Sequence, residues 1–439
     1  MKIGYCSPFN PLRSGISDFS EELVEVLAQQ IDVIVFSPVK PENEHLHEVC
    51  EVRDIKELDD ENVRNGLDIL VYHIGNNWSC HREIIRMLEK YPGIVELHDV
   101  GLHYMAAERY LETQDWEGYK QLAEYCHGLR GKKIVEDYLQ GLGDAPWSSH
   151  PLDMSMNRKI LDNATAVIVH SDFAKQMVLA LYPEKPIINI MLHCCDIVDD
   201  LAFFQQQCRK ELSFAYTENV IGSFGFVTKS KRIIQILDAL GKIKAQGIAF
   251  RYILVGDVQK DINIDDELKK RNLCDCVQIT GFASLEEFKL YIGTCDFCIN
   301  LRYPTQGESS ASLHRMLGMG KPVIVTNIGT FADYPDDVVI KVRYGNEEIE
   351  DIYYAILRLI HDKNELKQRS ERALKFAEEY CDIKKNAEIY FGFFKEILQG
   401  TWKPSYEDKL ITYLCELGLT SEEYLAHLYE RSVYCPRIP

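Results

Sequence analysis

The chain has 439 residues, too many for one compact core, so two domains of ordinary size are expected. Hydrophobic residues make up 46% and charged residues 27%, the composition of a soluble globular protein. A formal net charge of −19 argues against a nucleic-acid partner and against general attraction to anionic lipid.

The start, "MKIGYCSPFNP", has no apolar signal core, because Pro8 and Pro11 interrupt it at once, and no segment reaches the apolar length needed to span a bilayer. Fourteen cysteines without an export signal are then expected as reduced thiols in a cytoplasmic protein. Cys295 and Cys298 have Cys-x-x-Cys spacing but lack a second pair at zinc spacing, so buried structural thiols are expected, as for Cys194-Cys195 and Cys274/Cys276.

Along the first half, short apolar runs alternate with helical patterns. "MKIGYC" precedes "SDFSEELVEVLAQQ", then come "IDVIVFS", "LDILVYHI", the helical "CHREIIRMLEKY", "GIVELHD", "ATAVIVHS" with "DFAKQMVLALY", and "IINIML". Continuous apolar strands separated by amphipathic helices indicate a parallel sheet covered on both faces. Residues of about 101–160 break the rhythm and read as a helical insertion at the sheet's carboxyl edge. The rhythm restarts with "NVIGSFGF", "FRYILVGD", "VQITGF", "DFCINLR" and "KPVIVT", followed by a helical tail from Glu347 to about Leu398. The expected organisation is α/β: a first Rossmann-like domain over 1–205, a second over 206–385, and C-terminal helices over 386–439 returning toward the first. Ligands of such open sheets bind beyond the carboxyl ends of the strands, so the chemistry belongs in the strand-to-helix loops.

Those loops are polar in a directed way. In "SPFNPLRSGISDFSEEL", Gly15 opens a helix after a Pro-marked loop, leaving room for a ligand to approach the backbone. "YHIGNNWSCH" and "VELHDVGLH" end the middle strands with His73, Asn76, Asn77, His81, His98, Asp99 and His103, more polar groups than a core would place there. "GSFGFVTKSKRI" carries Gly225, then Lys229, Lys231 and Arg232 at a helix start. Cations there oppose the helix dipole and suggest an anion between them and the backbone N–H groups, although a solvated charge run would read alike. "LVGDVQ" puts Gly256 and Asp257 at another strand end. "INLRYPTQGESS" runs from Arg302 to Glu308, with Ser309 or Ser310 as N-cap of the next helix. Its first N–H groups form a phosphate cradle, and Glu308 suits the hydroxyls of a sugar or ribose; simple helix capping would use the same residues.

Taken in order, these segments resemble the retaining glycosyltransferases of the GT-B fold, family 4 (glycosyl transferases group 1), over about 1–398. The family's "GIxxxxxEL" is matched by Gly15-Ile16 through Glu22-Leu23, and its "ADxVIxxSxxxxxxL" by "ATAVIVHSDFAKQMV" with Ser171 at the serine. Its "KG" lysine falls on Lys231, its "GDG" turn on Gly256-Asp257, and "GxPVIATxxGGxxE" on "GKPVIVTNIGTFADYP" with Asp333 at the acidic position. The resemblance implies two Rossmann-like domains facing across a cleft and a sugar nucleotide (UDP-, GDP- or dTDP-linked) on the second. Lys231 and the helix after Glu308 would hold its diphosphate, with Gly15, Gly225, Lys229, Arg232, Gly256, Asp257, Arg302, Ser309 and Ser310 around it. His98, Glu308 and Lys231 would be catalytic. The acceptor, a saccharide, lipid-linked or protein-linked glycan of surface polysaccharide or glycan assembly, would meet Asn76, Asn77, Asp99 and His103.

Three departures stand out. The family's arginine ahead of the lysine falls on Phe226, its second motif glutamate is replaced around Arg315, and its "PNGVD" reads "LHCCD", ending in Asp196. No Asp-x-Asp motif lies in the donor loops, so a metal-independent enzyme without cofactor is expected. It would be a hexosyltransferase that retains anomeric configuration and works in the cytoplasm, with peripheral contact at the inner membrane face allowed. The tail 401–439, two short amphipathic helices joined at Gly418, is a candidate homo-oligomer or partner surface. The rival readings are a catalytically silent GT-B scaffold or sugar-nucleotide-binding subunit and a nucleotide-sugar epimerase.

Overall fold

A computed structural model describes residues 1–12, 14–260 and 262–418. The chain divides into two compact units. The first comprises Met1–Met191, Pro304–Ser309 and the described part of Ile383–Glu430; the second comprises Leu192–Tyr303 and Ser310–Asp382.

The first unit is built on β1 (Lys2–Cys6), β2 (Asp32–Ser37), β3 (Glu51–Asp54), β4 (Ile69–Ile74), β5 (Gly93–Leu97), β6 (Ala164–Val169) and β7 (Ile187–Asn189). All pair in parallel, in the order β3-β2-β1-β4-β5-β6-β7. The inner strands are buried on both faces, which is why their sequences run apolar without alternation. The second unit repeats the plan with β8 (Val220–Phe224), β9 (Arg251–Val255), β10 (Val277–Gly281), β11 (Phe297–Asn300), β12 (Val323–Thr326) and β13 (Val339–Val342). Their order is β10-β9-β8-β11-β12-β13, again all parallel. Each sheet therefore reverses its winding once, between β1 and β4 and between β8 and β11. At these two points the loops leaving neighbouring strands diverge and open a crevice.

Two edge strands lie outside the apolar runs of the sequence. β3, "EVRD", is half exposed, and β13 is four residues long. The exchange points between units fall at 191/192 and 382/383, against the expected 205/206 and 385/386. The physical reason is the helix Leu201–Glu211, whose Cys208 lies beneath Gly293 and whose buried Arg209 pairs with Asp296 at 2.9 Å. That helix is therefore part of the second unit's packing.

Between β5 and β6 the expected helical insertion is present: Leu102 leads into the helix His103–Thr113, followed by Trp116–Leu139, Pro146–Ser149 and Arg158–Asp162. The long helix is broken at Gly128 (φ 65°, ψ −157°). The insertion has its own small core of Ala106, Ala107, Tyr119, Ala123, Cys126, Val135, Met154 and Met156. The helical tail expected from Glu347 to about Leu398 consists of three helices, Glu348–His361, Lys363–Tyr380 and Ile383–Gln399. The last belongs to the first unit, as does Tyr406–Glu416, anchored there by Asp408 on Lys175 at 2.7 Å. The second helix expected after Gly418 lies outside the described residues. Among the described residues no helix is long and apolar enough to cross a membrane. Cys194, Cys276, Cys295 and Cys298 are buried, while Cys195 and Cys274 are exposed.

Candidate active site

In the second unit the turns after β8 and β9, next to the switch point, are made chiefly of backbone. Gly225 follows β8 with φ 86° and donates its N–H to Val255 O at 2.8 Å. Gly256 follows β9 with φ 142°, and a Cβ there would lie 2.4 Å from Gly225 O. Only glycine permits this approach of two peptide planes in such a conformation. The Asp257 carboxylate accepts the Phe282 N–H at 2.9 Å and ties the β10 loop to this turn.

Lys231 is 8% exposed, and its amine donates to Phe224 O and fills the space above Gly225. An ammonium carries three N–H groups, so the same amine can serve an anion as well as this carbonyl. The cations expected at a helix start sit one turn earlier: Lys229–Lys231 form a 3-10 turn, and the helix is Ile233–Ala245. Arg232 is the left-handed residue between them (φ 58°), and its guanidinium forms a two-pronged pair with buried Glu348, Nε to Oε1 at 2.8 Å and Nη2 to Oε2 at 2.5 Å. A guanidinium held on both prongs by a buried carboxylate braces the loop. Exposed Lys229 stays in the same turn, and exposed Phe226 stands where an arginine was expected. Arg302 donates its backbone N–H to Thr326 Oγ1 at 3.0 Å, and the Tyr303 N–H reaches Ser230 O at 2.7 Å, joining the loops after β8 and β11. Ser310 is the N-cap of the helix Ala311–Gly318: its Oγ accepts from Leu313 N at 3.3 Å and from Asn300 Nδ2 at 3.0 Å.

Two of the sequence departures turn out to be one feature. Arg315, on that helix, pairs with Asp196, which also holds Lys289 at 2.9 Å. The cation that replaces the motif glutamate is thus matched by the carboxylate that ends "LHCCD", inside the second unit.

In the first unit, Gly15 opens the helix Gly15–Leu27 with nothing within 4 Å of the place a side-chain methyl would take, so the backbone there is open to approach. Asn76 is fixed at three points: its N–H goes to Asp99 Oδ2 at 2.9 Å, its Oδ1 accepts from Met105 N at 2.7 Å, and its Nδ2 donates to Gln306 Oε1. Asn77 is the N-cap of the helix Trp78–Lys90, accepting from Cys80 N at 3.2 Å. The loop Pro304–Ser309 lies in this unit, with Gly101 N donating to Gln306 O at 2.7 Å and Ser309 Oγ to His170 O at 3.2 Å. Glu308 Oε2 accepts from Thr305 Oγ1 at 2.8 Å and Gln306 N at 2.6 Å, so this carboxylate shapes its own loop.

His103 does not join the others. It is buried in the insertion with Nε2 2.6 Å from Tyr119 Oη, and burial drives its imidazole down to about 3. Burial likewise takes buried His81 to about 4, against the Asn77 carbonyl that its Nδ1 meets at 2.8 Å.

His98 sits beyond β5 with a side chain 9% exposed. Its Nε2 is 3.2 Å from His73 Nδ1, and its ring packs 4.7 Å from that of His170. Beneath them Glu96, wholly buried on β5, accepts the Tyr390 hydroxyl at 2.7 Å. Burial pushes the Glu96 carboxyl up to about 8, opposed by that hydrogen bond. Sequence reading passed over Glu96 and His170; the one polar residue inside "GIVEL" and the His beside Ser171 were the available signals. His73, Glu96 and His98 bring one ligand atom each within 4.8 Å of one another, the spacing of a metal group, although the same atoms also serve the contacts just described. A separate cavity of about 850 Å³, lined by Trp78, Arg109, Tyr110, Tyr125 and Lys159 among others, contains none of the sequence-predicted residues.

Residues 204–376 match the family model described as glycosyl transferases group 1. No curated protein matches the chain. Among solved structures it shares the fold of sucrose-phosphate synthase (tll1590) from Thermosynechococcus elongatus, at 14% identity over 91% of this chain and 100% of that one, with a TM-score of 0.64. Alr3699/HepE from Anabaena in complex with UDP-glucose is similar at 14% identity over 91% and 100%, with a TM-score of 0.60. WaaG, a glycosyltransferase involved in lipopolysaccharide biosynthesis, is similar at 13% identity over 89% and 100%, with a TM-score of 0.58. The group 1 resemblance of the second unit rests on the family match, and the GT-B fold on the solved structures.

Proposed function

With the group 1 match of residues 204–376 as premise, we propose that the chain transfers a sugar from a nucleoside-diphosphate sugar, with retention of anomeric configuration and without a metal. One observation carries the reading: at the carboxyl ends of β8 and β9, next to the switch point, glycines of positive φ bring two peptide planes together beside the buried amine of Lys231. Such a place suits a diphosphate, which accepts from peptide N–H groups and a lysine. UDP and UDP-glucose are the ligands of the Anabaena structures, which supports a nucleotide sugar as partner here.

Departure of a nucleoside diphosphate builds negative charge on its β-phosphate and oxocarbenium character on the sugar. Lys231 and the N–H groups at the start of Ala311–Gly318 meet the first, fixed in advance and partly out of water. The leaving phosphate takes the acceptor's proton as the new bond forms on the same face. His98, Asp99, Asn76 and the Glu308 loop, all in the first unit, serve the sugar and a glycan or lipid-linked acceptor. The test is a thermal-shift panel of UDP-, GDP- and dTDP-sugars on wild type and Lys231→Ala. One nucleotide class should stabilise wild type by several degrees and the variant by much less; equal shifts in both would remove Lys231 from the donor site.

The Arg315–Asp196 pair motivates a second reading, a silent sugar-nucleotide-binding subunit, since a cation stands where a carboxylate would hold the ribose. Slow donor hydrolysis without acceptor separates the two, because a binding subunit releases no sugar.

A further inference from the structure

The helical insertion of the first unit carries its own cavity, about 850 Å³ in volume. It lies among the start of the helix Trp78–Lys90, the helices His103–Thr113 and Trp116–Leu139, and the stretch Lys159 to Asn163. We propose that this cavity is a second carbohydrate site, made of other residues than the strand-end site, and that it takes a neutral oligosaccharide.

Arg109 is held in place without its donors being spent. Its guanidinium lies 4.9 Å from the ring centroid of Trp78 and 5.4 Å from that of Tyr110. Trp78 packs on the core of the first unit, and Tyr110 stacks on buried Tyr119 at 5.9 Å, so both rings are fixed and fix the fork. Among the described residues no hydrogen bond takes up its five N–H groups. Its ion-pair partner Glu89 is 3.8 Å away and sits closer to Lys159, at 2.9 Å. Tyr125 is fixed too: its hydroxyl donates to Asp162, whose other oxygen accepts the Tyr182 hydroxyl at 2.6 Å. Its ring is 52% exposed, and among the described residues no other ring or cation stacks on it. Asn163 spends its amide nitrogen on Lys159 O at 2.9 Å and keeps its carbonyl oxygen as an acceptor.

Charge decides between ligands. On the lining, Arg109 and Lys159 are balanced by Asp115 and Asp162, and Glu89 adds a negative charge beside the two cations. A phosphate or carboxylate therefore gains no net attraction. A neutral sugar suits the balance: its hydroxyls accept from the fork and donate to Asn163, while the C–H face of its ring lies on Tyr125. The volume falls in the range of about 300–1,000 Å³ usual for small-molecule sites. Under the transferase reading such a site keeps a growing glycan attached between transfers; the binding itself does not depend on that reading.

The experiment uses the full chain with fluorotryptophan at its four tryptophans, read by fluorine NMR, with the Trp78 line assigned from Trp78→Phe. Maltotetraose, cellotetraose and chitotetraose are added singly at about 10 mM, enough to reveal millimolar affinity. At least one should move the Trp78 line. Tyr125→Ala and Arg109→Gln should each weaken that binding about tenfold or more, with melting temperatures near wild type. No movement of the Trp78 line by any of the three, or binding that survives both variants, overturns the inference. So does tighter binding of tetragalacturonate than of every neutral sugar, or displacement of the sugar by UDP, which would place it in the nucleotide crevice. The expected binding in a chain that transfers no sugar would count against the transferase reading alone.

Discussion

At the switch point of the first sheet the strand ends carry imidazoles and a carboxylate packed away from water. At the corresponding place in the second, they carry glycines, peptide groups and one lysine amine. Apart from the edge strand β7, both sheets have the same strand order, so the difference does not come from topology. It teaches how one architecture can host two kinds of recognition. Peptide groups held by positive-φ glycines suit an invariant anion such as a diphosphate, whereas protonatable side chains discriminate among hydroxyls by which nitrogen donates.

The contrast breaks most visibly under acid. His81, His103 and His127 of the first unit are held by burial at about 4, about 3 and about 4. The unfolded chain takes up these protons near the ordinary histidine value of about 6.5, while the folded state refuses them until the lower values are reached. The contribution is therefore complete above about 6.5 and is lost as pH falls toward 4, each group costing about 1.4 kcal/mol per pH unit. Hydrogen exchange at pH 7 and pH 5 should show the first unit opening before the second; the reverse order would dissolve the contrast.

Next in size, Lys231→Ala should lower transfer about 100- to 1,000-fold while the circular dichroism spectrum stays as in wild type. A near-normal rate would leave the second crevice without its charge. Gly256→Ala should destabilise the second unit by about 1–3 kcal/mol, because a methyl at φ 142° collides with Gly225 O, and should weaken nucleotide binding. A silent substitution would show that the two peptide planes can separate freely. The smallest effect belongs to Asn77→Ala, which removes a helix cap and should cost about 1 kcal/mol with donor KM unchanged. A large loss of kcat there, with little loss of stability, would restore Asn77 to the acceptor side.

Much of the architecture was legible because parallel strands buried on both faces write themselves as apolar runs, from "DVIVFS" to "VIVT". β3 was not, since "EVRD" at a sheet edge buries too little to need an apolar pattern. The glycine turns were legible as punctuation directly after strands. What remained hidden was pairing at a distance. Arg315 and Asp196 read as two separate departures and are one ion pair, 119 residues apart. Nothing local announces that Arg232 pairs with Glu348, 116 residues away, or that His103 meets Tyr119 in an insertion that spacing alone cannot fold.

The hydrogen bond from Tyr390 to Glu96 spans 294 positions, and the helix that supplies it is made after the second sheet is complete. On the ribosome, the first sheet must wait with an uncapped acid in its interior until the second sheet and the helix Ile383–Gln399 have been made. Vectorial synthesis thus favours the second unit as the earlier finished body. A nonsense codon shortly before Tyr390 would harm the portion translated first.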